Sequence, residues 1–234
     1  MKKITLAIDV MGGDHGPKTT IEGIAIAAKN YPNVKFVLFG NKKKAQKKLT
    51  EYPEIKNFDF VHTLESIGSS DEPVNALRKL KKSSMRLGIN SLQNGKCDGF
   101  VSAGNTGALM AISKFVLKTI KGIDRPAIAA FLPTMKGQSV FLDLGANVEC
   151  SNENLVQFAL MGDMFSKSVL GIKNPKLGLL NVGSEHIKGN SVVKKTFNDL
   201  IKMNSKINFQ GFVEGNDINK GIVDVIVTDG FSGN

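Results

Sequence analysis

Apolar and polar positions along the chain fall into two alternating kinds of block. Short apolar runs at 4–10, 34–39, 99–103, 177–182, 207–213 and 223–228 are bounded by turn-forming residues and read as strands, with a weaker one at 59–62. Between them lie segments with helical spacing. One starts near Pro17, a residue suited to a first helical turn, and a short lysine-rich one covers 42–50. Asp71-Glu72-Pro73 opens another that is expected to run to about Gln93. Further helices are expected over 106–120, from Ser151 or Asn152 to about Val169, and over 192–203. Two apolar runs at 127–132 and 140–144 have no helix-length gap between them and predict a local antiparallel pair. Strands alternating with helices predict one α/β domain over residues 1–234 with a mainly parallel, layered sheet. No internal repeat or linker interrupts it. The last strand runs into a glycine-rich turn with no helix after it, which reads as an incomplete chain.

Composition narrows the class without changing the fold. With 234 residues, 41% hydrophobic and 22% charged, the chain has ample material for a core. Its longest apolar stretches stop short of the ~18 residues that a membrane span needs. The start, MKKITLAIDV, has the lysines and apolar run of a signal peptide, but Asp9 interrupts the run and no small-residue cleavage site follows, so it reads as a strand. Cys97 and Cys150 have no CxxC partner or nearby ligand cluster, which points to a reducing compartment and to ordinary buried thiols. The formal net charge is +10, and only three of the 31 basic residues are arginines, Arg78, Arg86 and Arg125. Such a surface is either simply solvated or attracts something acidic, a protein or anionic lipid. Nucleic acid fits poorly: there is no Trp, there are two Tyr, and no run interleaves basic with aromatic residues.

Candidate chemistry sits in the turns. MGGDHG (11–16), SAGNTG (102–107), DLGAN (143–147), NVGSEHIKGN (181–190) and DGFSGN (229–234) all follow expected strands, the edge at which open parallel sheets bind ligands. SAGNTG lies where a strand hands over to a helix, so it can present bare backbone N–H groups to an anion. Known fingerprints fail. None of the turns is G-x-G-x-x-G, none ends in the Lys-Ser/Thr of a Walker loop, and Ser102, Ser184 and Ser232 do not sit in a nucleophile elbow. His15, His62 and His186 lack metal-ligand spacing; His62 reads as a surface residue, while His15 and His186 serve either a site or a local hydrogen bond. What remains is a set of anion-cradling loops with charged groups, Asp14, Asp143, Glu185, Lys188 and Asp229, and no evident nucleophile. That suits a reaction in which phosphate itself attacks a carbonyl, and the protein holds it in line and stabilises the oxyanion. No metal and no cofactor are expected.

The ordered blocks AIDVMGGDHGP, LRKLKKSSM, DGFVSAGNTGALMA, DRPAIAAFLPT, FLDLGANVEC, LLNVGSEHIKGN, NFQGFVEGNDI and DVIVTDGFSGN closely resemble the bacterial phosphate acyltransferase family of phospholipid synthesis. The resemblance implies a fold like that of the phosphotransacetylase and isocitrate/isopropylmalate dehydrogenase group. It also implies transfer of a long-chain acyl group from acyl carrier protein to inorganic phosphate, giving acyl phosphate for a membrane acyltransferase. A homodimer, cytoplasmic but touching the membrane surface, goes with it. On this footing Ser102, Gly104, Asn105, Thr106 and Gly107 are expected to cradle phosphate, with Arg78 and Lys188 offsetting its charge. Asn147, Asn181 and Asn190 are expected as oxyanion donors, and Asp14, His15, Glu185 and Asp229 as groups that orient donors or manage protons. Two departures stand out: His186 occupies a place where family members commonly carry a second acid, and the family chain continues past a motif like DGFSGN. The rival readings are a short-chain phosphotransacetylase using coenzyme A, a metal- and NAD-dependent hydroxyacid dehydrogenase, and an inactive chain that only binds carrier protein or membrane surface.

Overall fold

The structure, a computed structural model, describes residues 3–234. The chain divides into two compact units, Met1–Lys118 and Thr119–Asn234, each with its own sheet.

The first unit is a four-stranded, wholly parallel sheet in the order β3-β2-β1-β4. Its strands are β1 (Thr5–Asp9), β2 (Lys35–Gly40), β3 (Phe58–His62) and β4 (Gly99–Val101). Helix α1 (Pro17–Asn30) starts at its proline and buries Ile21, Ile24 and Ala25, at i, i+3 and i+4, against Ile8, Phe36 and Leu38. Helix α2 (Lys42–Leu49) is capped by the Asn41 side chain and buries only Ala45, which is why four of its five lysines are exposed. The single helix expected from Asp71 to Gln93 is instead two, α3 (Pro73–Lys79) and α4 (Ser84–Gln93). Ser83 ends the interruption by capping the Arg86 N–H at 3.3 Å. The loop after β3 holds the break open: Thr63 Oγ1 donates to Lys82 O (2.6 Å), and Glu65 accepts from the backbone N–H groups of Lys82 and Ser84. Those partners lie almost twenty residues upstream, outside any helical pattern. Helix α5 (Thr106–Leu117) ends earlier than expected, at Lys118, whose φ is 63°.

The second unit is a five-stranded sheet in the order β5-β6-β9-β7-β8. The hairpin of β5 (Ala129–Thr134) and β6 (Gly137–Leu142) is the expected antiparallel pair, and β6, β9 (Val225–Val227), β7 (Lys176–Leu180) and β8 (Asn208–Val213) run parallel. Helix α6 (Asn152–Phe165) begins with a capping box at Ser151 and continues as a π-helical turn over Ser166–Leu170. Helix α7 (Ser191–Lys202) is capped by Asn190. A 3₁₀ turn at Gly215–Lys220 and a one-turn helix α8 (Gly230–Gly233) were not in the sequence pattern; both are too short to show periodicity. The core gathers Phe158, Leu155, Leu177, Leu179, Leu200, Val225 and Val227. Helix α6 lies close on the sheet because Gly162 has no side chain: a Cβ there would stand 2.5 Å from Val225 Cγ1 and 2.9 Å from Leu142 Cδ1. No helix among the described residues is long and apolar enough to cross a membrane.

Gly162→Val is therefore expected to overpack this contact and lower stability by roughly 1–3 kcal/mol, read from urea unfolding followed by circular dichroism. A variant as stable as the parent would show that α6 can lift off the sheet without loss.

Candidate functional site

The five turns are shared between the two sheets, two in the first unit and three in the second. In the first unit MGGDHG follows β1 and SAGNTG follows β4, its neighbour in the sheet. Asp9, buried at the end of β1, ties them together: Oδ1 accepts from the Met11 N–H (3.1 Å) and Oδ2 from the Ser102 hydroxyl (2.8 Å). Ser102 Oγ in turn accepts from the Gly104 N–H at 3.0 Å. Gly12 lets the loops touch, since a Cβ on it would lie 2.8 Å from Gly104 N and 2.9 Å from Ser102 Oγ.

Asn105 then starts α5. Its Oδ1 accepts from the Ala108 N–H (2.9 Å), and its Nδ2 donates to the carbonyls of Asp71 (2.8 Å), Ser69 (3.1 Å) and Gly68 (3.3 Å). The amide is thus fully engaged as helix cap and loop clamp, not as a ligand donor. Among the described residues the N–H groups of Thr106 and Gly107, in the first turn of α5, have no partner. They line a cavity of about 700 Å³ together with Gly13, Asp14, Ser66, Ser69 and Gly104. Ser102 stands behind this cavity and fixes the loop. Asp14 and His15 are exposed, and their side chains carry no hydrogen bond or ion pair among the described residues; the His15 carbonyl accepts from the Lys18 N–H at 3.3 Å. Arg78, exposed in the last turn of α3, is likewise unpaired and lies outside the cavity lining.

In the second unit the equivalent anchor is Asp143, fully buried just after β6. Its carboxylate accepts four hydrogen bonds, from the N–H groups of Ile128 (2.8 Å), Ala146 (3.2 Å) and Asn147 (2.7 Å) and from Asn147 Nδ2 (2.8 Å). Asn147 also donates to Pro126 O at 2.9 Å, and its own carbonyl accepts from the Gly230 N–H at 2.8 Å, which docks DGFSGN on DLGAN. Asn181 is buried and donates to Gly183 O (2.9 Å) and Lys188 O (3.3 Å), closing the NVGSEHIKGN loop on itself. Asn190 caps α7 through the Val193 N–H (2.9 Å), and Asp229 caps α8 through the Ser232 N–H (2.7 Å). Asn181, Asn190 and Asp229 line a pocket of about 320 Å³ with Thr228, Ser232 and Gly189. Glu185 and Lys188 are exposed and unpaired among the described residues. His186 is a packing residue, its ring edge-on to Phe197 with centroids 4.6 Å apart. Beside the anchor, Cys150 has its thiol pushed up to about 11, first by burial and then by the negative charges of Asp143 and Asp229.

Sequence reasoning found the turns and missed Asp9, read there only as a break in an apolar run. The signal was present: an acid inside a strand that is apolar on both sides must be buried and hydrogen-bonded. No cluster of three or more His, Cys, Asp or Glu forms a metal-binding group among the described residues.

Residues 4–234 match the fatty acid synthesis protein family. The chain is 50% identical over 232 residues to the phosphate acyltransferase of Paramagnetospirillum magneticum, covering 99% of this chain and 66% of that protein. It is 51% identical over 234 residues to that of Rhodospirillum centenum, covering 100% and 66%, and 48% identical over 237 residues to that of Shewanella woodyi, covering 100% and 69%. It thus spans about two thirds of these relatives' length. In fold it resembles the EutD phosphotransacetylase from Staphylococcus aureus, with a TM-score of 0.69 and 16% identity over 99% of this chain and 79% of the other. A branched-chain phosphotransacylase from Enterococcus faecalis V583 follows, with a TM-score of 0.64 and 15% identity over 95% and 78%. The expected fold group is therefore the right one.

Two outcomes follow from this geometry. Asn105→Ala removes a cap and three loop contacts, and is expected to cost roughly 1–3 kcal/mol and to speed amide hydrogen exchange across 66–71. Unchanged exchange there would show that the clamp does not order the loop. Cys150, with a raised folded pKa, is protonated at pH 8 and should react with a thiol reagent about a hundredfold more slowly than free cysteine, two pKa units of thiolate. The linkage sign is set by the same shift: native protein holds its proton longer, so this group's contribution is whole below pH 9 and declines as pH rises toward 11.

Proposed function

The chain belongs to the fatty acid synthesis protein family, and from that premise we propose that it transfers a long-chain acyl group from acyl carrier protein to inorganic phosphate. The observation that carries the reading is identity of about half the residues, along the full chain, with proteins named phosphate acyltransferase. A phosphate oxygen attacks the thioester carbonyl, the oxyanion collapses, the C–S bond breaks, and the thiolate leaves and takes a proton from solvent. The products are acyl phosphate, for phospholipid synthesis, and free carrier protein.

Phosphate is assigned to the start of α5, where the Thr106 and Gly107 N–H groups and the helix dipole face the 700 Å³ cavity. Backbone donors fixed before the ligand arrives suit a phosphate oxygen better than mobile side chains, because they need no reordering when it binds. Among the charged candidates of the turns, Arg78 in the first unit and Lys188 in the second are assigned to offsetting charge, and Asp14 and His15 in the first unit and Glu185 in the second to proton handling, each within its own unit, because no side-chain partner engages them among the described residues. Ser102, Asn105, Asn147, Asn181, Asn190 and Asp229 act by holding the turns. The first unit carries 19 basic and 10 acidic residues, the second 12 and 11, which favours an acidic carrier and anionic headgroups at the first. A cytoplasmic homodimer that touches the membrane surface and hands its product to a membrane acyltransferase completes the proposal.

The test is thiol release from palmitoyl-(acyl carrier protein) with and without inorganic phosphate, with acyl phosphate followed by ³¹P NMR. Release is expected to require phosphate, and Thr106→Val, which removes one hydroxyl at the cradle, to raise the KM for phosphate about tenfold. Thiol release that ignores phosphate would overturn the reaction; an unchanged KM would remove the Thr106 hydroxyl from the site and leave only its backbone N–H there.

A further inference from the structure

The cavity at the start of α5 does not end at its polar wall. Gly13, Asp14 and Ala103 also line a second space of about 510 Å³ that runs from the same loops along the sheet. Its walls change character away from the mouth. The parallel register pairs Ile8 with Val101, so Leu6, Ile8 and Val101 face the same side of the sheet. Phe36 joins them from β2, and Ile24 and Ala27 close the groove from α1. Thr20, near the mouth, turns its hydroxyl back to Gly16 O at 3.0 Å and leaves its methyl to the groove. Val101 is 51% exposed, although it lies on a sheet face otherwise covered by α1. An anion-facing cavity and an apolar groove that share three residues fit one kind of molecule, with a phosphate head and a straight hydrocarbon tail.

We propose that this groove between α1 and β4 holds the alkyl tail of the acyl group, with the head at the start of α5. The proposal rests on the phosphate-acyl transfer reading and adds to it the place where the chain length is measured. Transfer of a methylene from water to such a wall is worth about a fourfold gain in affinity, so tail length sets binding until the groove is full.

One glycine makes the groove testable. Gly23 lies in the middle of α1 and lines the space, and a Cβ on it meets no atom within 4 Å. Gly23→Leu improves helix propensity while putting four carbons into the groove. Gly23→Ala gains most of the propensity with little volume and serves as the control, and Val101→Asp places a charge on the exposed wall. The experiment titrates the 234-residue chain with inorganic phosphate and with butyl, octyl and dodecyl phosphate below their micelle concentrations, by calorimetry.

In the parent and in Gly23→Ala affinity should climb with chain length. In Gly23→Leu and Val101→Asp dodecyl phosphate should bind at least tenfold more weakly, with inorganic phosphate unchanged. Flat chain-length dependence in the parent, or dodecyl phosphate bound equally by all four proteins, would overturn the groove. So would a flat titration in which Gly23→Leu turns a dimer into a monomer by sedimentation, because the groove would then be a contact between copies. Chain-length-dependent binding without phosphate-dependent thiol release would support the tail site and reject the reaction. Thiol release with equal binding of short and long phosphates would reject the tail site alone.

Discussion

A carboxylate buried at the end of a central strand fixes each set of turns, and the candidate sites depend on it. Burying such a group costs several kcal/mol unless donors surround it, so the chain is compelled to bring donors in. Asp143 receives four, all but one of them backbone N–H groups; Asp9 receives a backbone N–H and the Ser102 hydroxyl. In each case the donors come from turns, including one 93 residues away in sequence. Satisfying the acid therefore shapes the loop. Once Asp9 has drawn in Ser102, and Ser102 has drawn in the Gly104 N–H, the next N–H groups along the chain are left at the first turn of α5 with no acceptor of their own.

The same economy decides what the polar side chains do. Asn105, Asn147, Asn181 and Asn190 all sit in glycine-rich turns, and each amide is engaged with the backbone of its own or a neighbouring loop. A side chain held this way is rigid, and rigidity is what it hands on to the N–H groups beside it. Backbone dipoles fixed before a ligand arrives need no reorganisation when charge develops, which is the condition for electrostatic catalysis. The exposed, unpaired Asp14, His15, Glu185 and Lys188 are free to approach a substrate but are not positioned by the fold.

This explains what could be read from the sequence and what could not. Periodicity and turn chemistry gave strands and helices whose centres match the structure, because both are local. The break between α3 and α4 was hidden because Thr63 and Glu65 hold it from another loop. The turns were legible as turns, but an asparagine that clamps a carbonyl looks the same in sequence as one that waits for a ligand. Asp9 was visible only as an interruption, since its partner Ser102 is brought near by strand order and not by spacing. The antiparallel hairpin at Ala129–Leu142 was legible from its two close apolar runs, but the division of the five turns between two sheets was not, because strand order is set by long-range pairing.

Charge adds the last constraint. A site that recognises phosphate by side chains leans on arginine, whose planar fork makes paired hydrogen bonds in a fixed geometry. This chain has three arginines: Arg86 lies over the Phe115 ring at 5.3 Å, Arg125 donates to Glu149 O at 3.1 Å, and Arg78 stands exposed. The excess of lysines in the first unit supplies a field without a geometry, since an ammonium on a flexible stem is a point charge. Direction must then come from elsewhere, and the phosphate position proposed here takes it from the backbone N–H groups in the first turn of α5. Field from lysines and direction from backbone are separable functions. A surface of this kind can exchange its lysines one for another with little effect on the cradle, whereas the acid that shapes the cradle, Asp9, has no substitute.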